Sequence, residues 1–343
     1  MIPKQLRQLK KDSVIYGIGN AFTKCLSVLL LPVYTRLFPP VEYGLIEMLT
    51  MTNAFLALVL NMGLDAALSY YFYKDQQDQG AQKQVALVSA IIQWHLSAGL
   101  LITILATCLS PIFNYWMFDG RLHWKVFAVV FSGSLFFQIC GQSAQIFQLL
   151  FCPWRCIGII FLQSLSSAAI AIGLIVWLDM GFLGYFLGFS AGSLVAALVG
   201  WWMARQYIDW SELYVSLWPK ILSFGLPLIP ANFAFYFMET SDRWILGLYH
   251  GGVVLGVYAV GAKVAMAVNL VVEPFRRAWG PIAYKSMHEA EGHGLFPFMA
   301  RAYIGVGAAG IVLLTAYSPT LVRWVATPNY YDAYQVIGLL GWK

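Results

Sequence analysis

The apolar run 14–37 constrains this chain most, because it is long enough to cross a bilayer and yet carries a lysine in its middle. At about 1.5 Å of rise per residue it reaches roughly 36 Å as a helix, against a hydrocarbon core of about 30 Å. Ser13, Gly17, Asn20, Lys24 and Ser27 follow one another at spacings of four, three, four and three, so they share one side of that helix. A charge at membrane depth is costly and is kept where it faces a bundle interior or a wet cavity. Lys24 is therefore read as pointing into a cavity, with Asn20 and Ser27 beside it.

The rest of the chain has the same solvent. With 60% apolar and only 11% charged residues, a soluble surface cannot be covered. Hydrophobic runs predict spans at 14–37, 44–69, 85–110, 126–150, 157–178, 182–204, 221–239, 253–274 and 298–317, with a last one opening near 333. The run 333–342 is too short to cross, which predicts a fragment rather than an end that folds back. The first run is too long, and too interrupted by Lys24, for a cleavable signal peptide. Ile2, Leu6 and Leu9 share a face with Lys4, Arg7, Lys10 and Lys11 around it, which suits either a helix lying on an anionic leaflet or a positive flank that sets orientation.

Basic residues set that orientation. A cytoplasmic N-terminus places Lys4, Arg7, Lys10, Lys11, Lys74, Lys83, Arg155, Arg205, Lys220, Arg276, Arg277, Lys285 and Arg301 inside, against Arg36, Arg121, Lys125, Arg243 and Arg323 outside. Cys25, Cys108, Cys140, Cys152 and Cys156 show no paired pattern and read as reduced thiols. His288, Glu289, Glu291 and His293 read as a solvated loop, so no metal and no cofactor is expected.

The longest linker, 205–220, predicts a six-span bundle over 1–204 and a second, incomplete one over 221–343. The seventh span opens on Gly225-Leu-Pro-Leu-Ile-Pro230 and is expected to bend. Asn232, Tyr236, Glu239 and Arg243 make a polar stripe on it, echoing the first span. Arg36 and Arg243 each close a span before an outer turn, and glycine-led helices at Gly44 and Gly256 follow, so the halves read as a parallel repeat with a cleft between them. Lys263 lies mid-membrane in the eighth span and Glu273 near its inner end. Glu47 and Asp65 mark the two ends of the second span. Gln138, Gln142, Ser143, Gln145 and Gln148 either line a wet surface or pair between helices, with lining preferred. Gly184, Gly188, Gly192, Ala196 and Gly200 read as a packing stripe.

The pieces Glu42-Tyr-Gly-Leu-Ile, Asn61-Met-Gly-Leu-Asp-Ala-Ala-Leu68, Gly225-Leu-Pro-Leu-Ile-Pro-Ala231, Ser241-Asp-Arg-Trp-Ile-Leu246 and Leu255-Gly-Val-Tyr-Ala-Val-Gly-Ala-Lys263 come in order over most of the chain. Together they resemble the polysaccharide biosynthesis (Wzx-type, O-antigen) flippases of the multidrug/oligosaccharidyl-lipid/polysaccharide exporter superfamily. The resemblance implies an all-α integral membrane fold of two pseudo-symmetric six-helix lobes, the second truncated here, around a central cavity in a bacterial inner membrane. It implies alternating access and an undecaprenyl-diphosphate-linked oligosaccharide as cargo. Membrane lipids, a polysaccharide polymerase and a chain-length regulator are the partners implied, and nucleic acid is not.

A diphosphate needs cations. Lys24 and Lys263, one per half, are the expected cavity cations, with Arg36 and Arg243 either gripping the phosphate at the outer rim or anchoring the interface. Glu239 first, then Glu47, Asp65 and Glu273, are candidates for a coupling proton or sodium ion, or for neutralising the basic residues. Two other readings stay open: a cation-coupled multidrug exporter of the same superfamily, and a membrane glycosyltransferase or polymerase. The last wants a large catalytic loop and no loop here is long, so the chain is not expected to be an enzyme.

Overall fold

A computed structural model describes residues 17, 19, 22, 23, 25–79, 81–266 and 292–342, of which 75–79, 81 and 292–295 are described by backbone alone. The described residues hold no strand. In chain order the helices are α1 (Cys25–Leu37), α2 (Pro40–Asn61), α3 (Leu64–Gln79), α4 (Ala81–Trp94), α5 (Leu100–Cys108), α6 (Ser110–Phe118), α7 (Trp124–Leu149), α8 (Pro153–Leu178), α9 (Gly181–Ala204), α10 (Trp218–Gly225), α11 (Ile229–Ala265), α12 (Gly292–Val325) and α13 (Tyr334–Leu340). Seven stretches among the described residues are helical, long and apolar enough to cross a membrane. The protein is an all-helical, multi-pass membrane protein.

The helices depart locally from the expected spans. The second span breaks at Met62 and Gly63, both at positive φ, where a Cβ on Gly63 would lie 2.5 Å from the Gly225 carbonyl oxygen. This puts Asp65 in the first turn of a new helix, where backbone N–H groups favour a negative charge. The polar segment 74–84, between the expected spans 44–69 and 85–110, is helical to Gln79 and again from Ala81. The third span contains one π turn, His95–Gly99, between α4 and α5. At the seventh span the α-helix gives way to a 3₁₀ turn at Leu226–Leu228, which contains Pro227. The break expected between 239 and 253 falls late in that interval, at Gly251, with φ 78° and ψ 177°. Arg243 therefore sits within a helix and does not close one.

The chain divides into two compact units, one of 48–248 with the described residues up to 19, the other of 22–47 with 249–342. This division runs differently from a split at 205–220, since 221–248 goes with the first unit and α1 with the second.

In the first unit the glycine stripe of α9 is a packing device. A Cβ on Gly188 would lie 2.4 Å from Ala171 Cα, one on Gly192 2.3 Å from the Ser167 nitrogen, and one on Gly200 2.6 Å from Ser143 Cβ. These approaches seat α9 on α8 and α7 by van der Waals contact, the main force between helices in lipid. The linker is strapped to α4: Ser89 Oγ accepts from the Asp209 N–H, Gln93 bonds the Glu212 carbonyl and the Tyr214 N–H, and Trp218 Nε1 donates to the Ala90 carbonyl.

In the second unit two helices meet backbone to backbone. A Cβ on Gly44 would stand 1.9 Å from the Gly252 carbonyl oxygen, and one on Gly256 2.1 Å from the Pro40 carbonyl oxygen. Each glycine receives the carbonyl four residues before the other, a reciprocal contact that no side chain larger than hydrogen would permit. The turn beyond α12 closes on the same place, as Thr35 Oγ1 donates to the Val325 carbonyl, Thr327 Oγ1 to the Thr35 carbonyl and Tyr330 Oη to the Phe38 carbonyl.

Candidate functional site

The glycine contact determines where the charges of the second unit fall. Pro40, Tyr43, Gly44 and Glu47 share one face of α2, and Gly252, Gly256 and Lys263 share one face of α11. With the glycines in contact, Lys263 reaches Tyr43 and Glu47. Its Nζ donates to Tyr43 Oη at 2.8 Å and lies 3.7 Å from Glu47 Oε2. The Glu47 side chain is 4% exposed and that of Lys263 is 31% exposed. Tyr43 is held in turn, edge-on against Tyr330 with ring centroids 5.9 Å apart. A carboxylate this deep is tolerated because a cation and its hydrogen bonds face it. Of the two side chains, that of Lys263 is the more exposed.

The first unit carries a second polar group. Asp65 accepts from the side-chain amides of Asn61 and Gln142, and Gln145 Nε2 donates to the Asp65 carbonyl and to Ser69 Oγ at 3.1 Å. Higher on the same helices Ser134 Oγ donates to both oxygens of Asn53. The amides of α7 at 142 and 145 thus pair between helices, and do not follow the preference for lining a wet surface. Gln148 is exposed.

The polar stripe of α11 splits by role. Tyr236 Oη donates to the Met51 carbonyl at 2.8 Å and accepts from Trp244 Nε1 at 3.2 Å, while Phe55 packs on both Phe233 and Tyr236. Tyr236 therefore ties α11 to α2. Asn232 and Arg243 are half-buried, and Glu239 is exposed. Arg36 and Ser27 are exposed on α1. Lys24, Asn20 and Glu273, and the loop residues His288, Glu289 and Glu291, lie outside the described residues. No group of three or more metal-ligating side chains occurs among the described residues.

Two features escape a reading of the sequence. One is that Lys263 and Glu47 belong together, although both follow a helix-opening glycine, at seven and three residues. The other is His95, fully buried in the π turn of the third span. A histidine within an apolar run is the signal available.

Outside the spans, one cluster has clear electrostatics. Asp209 accepts from the Ser211 N–H and Oγ and from Tyr214 Oη, at 2.8, 2.6 and 2.7 Å. The Ser211 hydroxyl first, then that of Tyr214, holds the Asp209 carboxyl below the ordinary carboxylate range. The same bond pushes the Tyr214 hydroxyl up to about 12. This cluster shapes the linker.

Comparison with known proteins gives a consistent result. The family model described as polysaccharide biosynthesis protein matches residues 9–287. A Haemophilus influenzae protein, Lsg locus putative protein 1, is 23% identical over 287 residues, covering 81% of this chain and 67% of the relative. The chain spans about two thirds of the length of the Haemophilus relatives it matches. Among solved structures, an inward-facing multidrug resistance MATE family transporter of the MOP superfamily superposes with a TM-score of 0.70 at 13% identity, over 93% of this chain and 77% of that one. A MOP superfamily transporter from Pyrococcus furiosus superposes with a TM-score of 0.57 at 16% identity, over 96% and 78%. The fold is that of these transporters.

Proposed function

Because the chain belongs to the polysaccharide biosynthesis protein family, we propose that it moves an undecaprenyl-diphosphate-linked oligosaccharide from the inner to the outer leaflet of a bacterial inner membrane by alternating access. One observation supports the reading: a partly exposed lysine side chain, Lys263, on a helix apolar enough to span, bonded to Tyr43 and backed by a buried carboxylate. The lipid tails of such a cargo stay in the bilayer and its sugar needs water, while its diphosphate needs cations. Lys24, Arg36 and Arg243 are the further cations of this reading. In the resting arrangement Glu47 neutralises Lys263, so an arriving phosphate either displaces the carboxylate or shares the ammonium. Glu239, Asp65 and Glu273 take the role of coupling-ion ligands in the same reading. For the Pyrococcus furiosus transporter, a reverse polarity of the binding pocket suggests a different function, so this fold admits pockets of more than one polarity.

Multidrug export by cation exchange is the second reading, favoured by the likeness to a multidrug resistance MATE transporter. The two part on charge. In cells carrying the gene, the paired substitution Lys263→Ala with Glu47→Gln removes the ammonium without leaving the carboxylate alone. Under the glycan reading this variant inserts normally, the lipid-linked precursor accumulates in the inner leaflet and surface glycan is lost. Normal surface glycan together with lost drug resistance would establish the exporter reading instead.

A further inference from the structure

We infer that Asp65, Gln142 and Asn61 form a binding site for a monovalent hard cation of sodium's kind in the first unit, with Gln145 on its flank. For what the ion does, coupling transport, the inference rests on the function proposed above; that the ion binds rests on these side chains alone.

The site begins with the break between α2 and α3. Met62 and Gly63 take positive φ, 45° and 72°, where Gly63 meets the Gly225 carbonyl, so α3 starts afresh and Asp65 falls in its first turn. Across the break Asn61 Nδ2 donates to Asp65 Oδ2 at 2.5 Å. The other carboxylate oxygen, Oδ1, accepts from Gln142 Nε2 of α7 at 2.5 Å. Gln145, three residues further along α7, donates to the Asp65 carbonyl at 2.6 Å and to Ser69 Oγ at 3.1 Å. Three amides from two helices are thus gathered on one aspartate.

Each amide brings an oxygen along with its nitrogen. The two atoms stand about 2.2 Å apart, so Gln142 Oε1 lies within about 4.7 Å of Asp65 Oδ1, and Asn61 Oδ1 within about 4.7 Å of Oδ2. A hard cation of sodium's or calcium's radius holds oxygens at about 2.4 Å and spans either gap. Gln142 is 2% exposed, and its Oε1 is buried with no donor among the described residues; Gln145 Oε1 is buried in the same way. Buried acceptors of this kind take a partner. The carboxylate has neutral partners only, since no basic side chain of the described residues pairs with Asp65. A water satisfies the amide oxygens and leaves that charge unbalanced. A proton balances the charge, but both carboxylate oxygens already face N–H donors. A cation answers both needs. Its single charge follows from the donor set: one carboxylate among neutral amides balances one positive charge, whereas calcium sites draw on several acidic ligands. Asp65 is exposed, which gives the ion a way in from water.

The test measures equilibrium binding of radiolabelled sodium to the full chain in lipid nanodiscs, with choline chloride holding the ionic strength constant at fixed pH. Saturable binding of one ion per chain, competed by unlabelled sodium, is expected. Asp65→Asn, which keeps the size of the side chain, abolishes it, and Gln142→Met weakens it by about tenfold or more. Asn61→Ala, at a helix end and so milder for folding, weakens it likewise. Gln148→Ala, exposed on the same helix as Gln142, leaves binding unchanged. A parent chain that binds no sodium saturably overturns the inference without any variant. So does binding that survives Asp65→Asn or Gln142→Met in a chain of unchanged helicity. Displacement of the label by magnesium at lower concentration than by sodium overturns the monovalent assignment. The cargo is decided separately by the Lys263 and Glu47 variants, so lost surface glycan there, with no sodium binding here, marks a failed ion site beneath an intact transport reading.

Discussion

Replacing Lys263 with methionine, nearly isosteric and uncharged, tests the pairing at the centre of the candidate site. Removing one partner of a buried ion pair costs about 3–5 kcal/mol, because the other charge stays desolvated. Here the partner left behind is Glu47, 4% exposed, so the cost should fall near the low end, about 3 kcal/mol, after allowing for the 31% exposure of the lysine. The reverse change, Glu47→Gln, leaves an ammonium that is partly open and still bonded to Tyr43, and should cost roughly 1–2 kcal/mol. The double variant has no orphaned charge and should lie within about 1 kcal/mol of the parent. Thermal unfolding in detergent, followed by tryptophan fluorescence, should rank Lys263→Met lowest, Glu47→Gln next and the double variant close to the parent. Losses that simply add in the double variant would refute the coupling, and with it the view that Glu47 sits in the membrane on account of Lys263.

Other positions give further tests. Gly44→Ala places a methyl against the Gly252 carbonyl and should cost roughly 3 kcal/mol, read as lost thermal stability, while Gly305→Ala, with nothing within 4 Å, should gain up to about 1 kcal/mol. Gly251→Ala meets no steric neighbour, so any loss, expected at about 1–3 kcal/mol, reports backbone strain at φ 78° alone. The bonds to Asp209 act while its carboxyl is ionised. They strengthen the linker above the ordinary aspartate value of about 3.9 and are lost as pH falls through the lower folded value. Limited proteolysis should accordingly cut the linker readily in Asp209→Asn at pH 7, and in the parent chain only below about pH 4.

Much of the fold is legible in the sequence because lipid simplifies the code. Long apolar runs must be helices, and the glycines of α9 at every fourth residue have to be a packing stripe. What escapes is whatever depends on a neighbour distant in sequence. Nothing local to Asn61-Met-Gly-Leu-Asp65 announces a break; it arises because Gly63 and Gly225 come into contact. Nothing in Ser241-Asp-Arg243 shows that the helix continues to Gly251. The candidate site is half legible: Lys263 stands out as a charge at membrane depth and Glu47 as a carboxylate at a span end, yet their pairing depends on the close approach of Gly44 and Gly256 to the Gly252 and Pro40 carbonyls. Tyr236 stands out in the sequence only as part of a polar stripe, and its bond to the Met51 carbonyl, which fastens two helices, depends on a neighbour distant in sequence.

The π turn at His95–Gly99 has a consequence for how this chain can vary in length. A π turn is an α-helix that has absorbed one extra residue within a single wide turn, so its two flanks face as they would in an uninterrupted helix one residue shorter. Deleting a single residue at Leu96–Ala98 would let α4 and α5 fuse into one regular helix. The outer half, Leu100–Cys108, would keep its face toward α7 while His95 kept its place against Ile91. A relative one residue shorter at this point would therefore lose the wide turn and keep the register between its halves. Single-residue gaps here should be better tolerated than gaps of the same size elsewhere in the span, where each turns the outer half by about 100°.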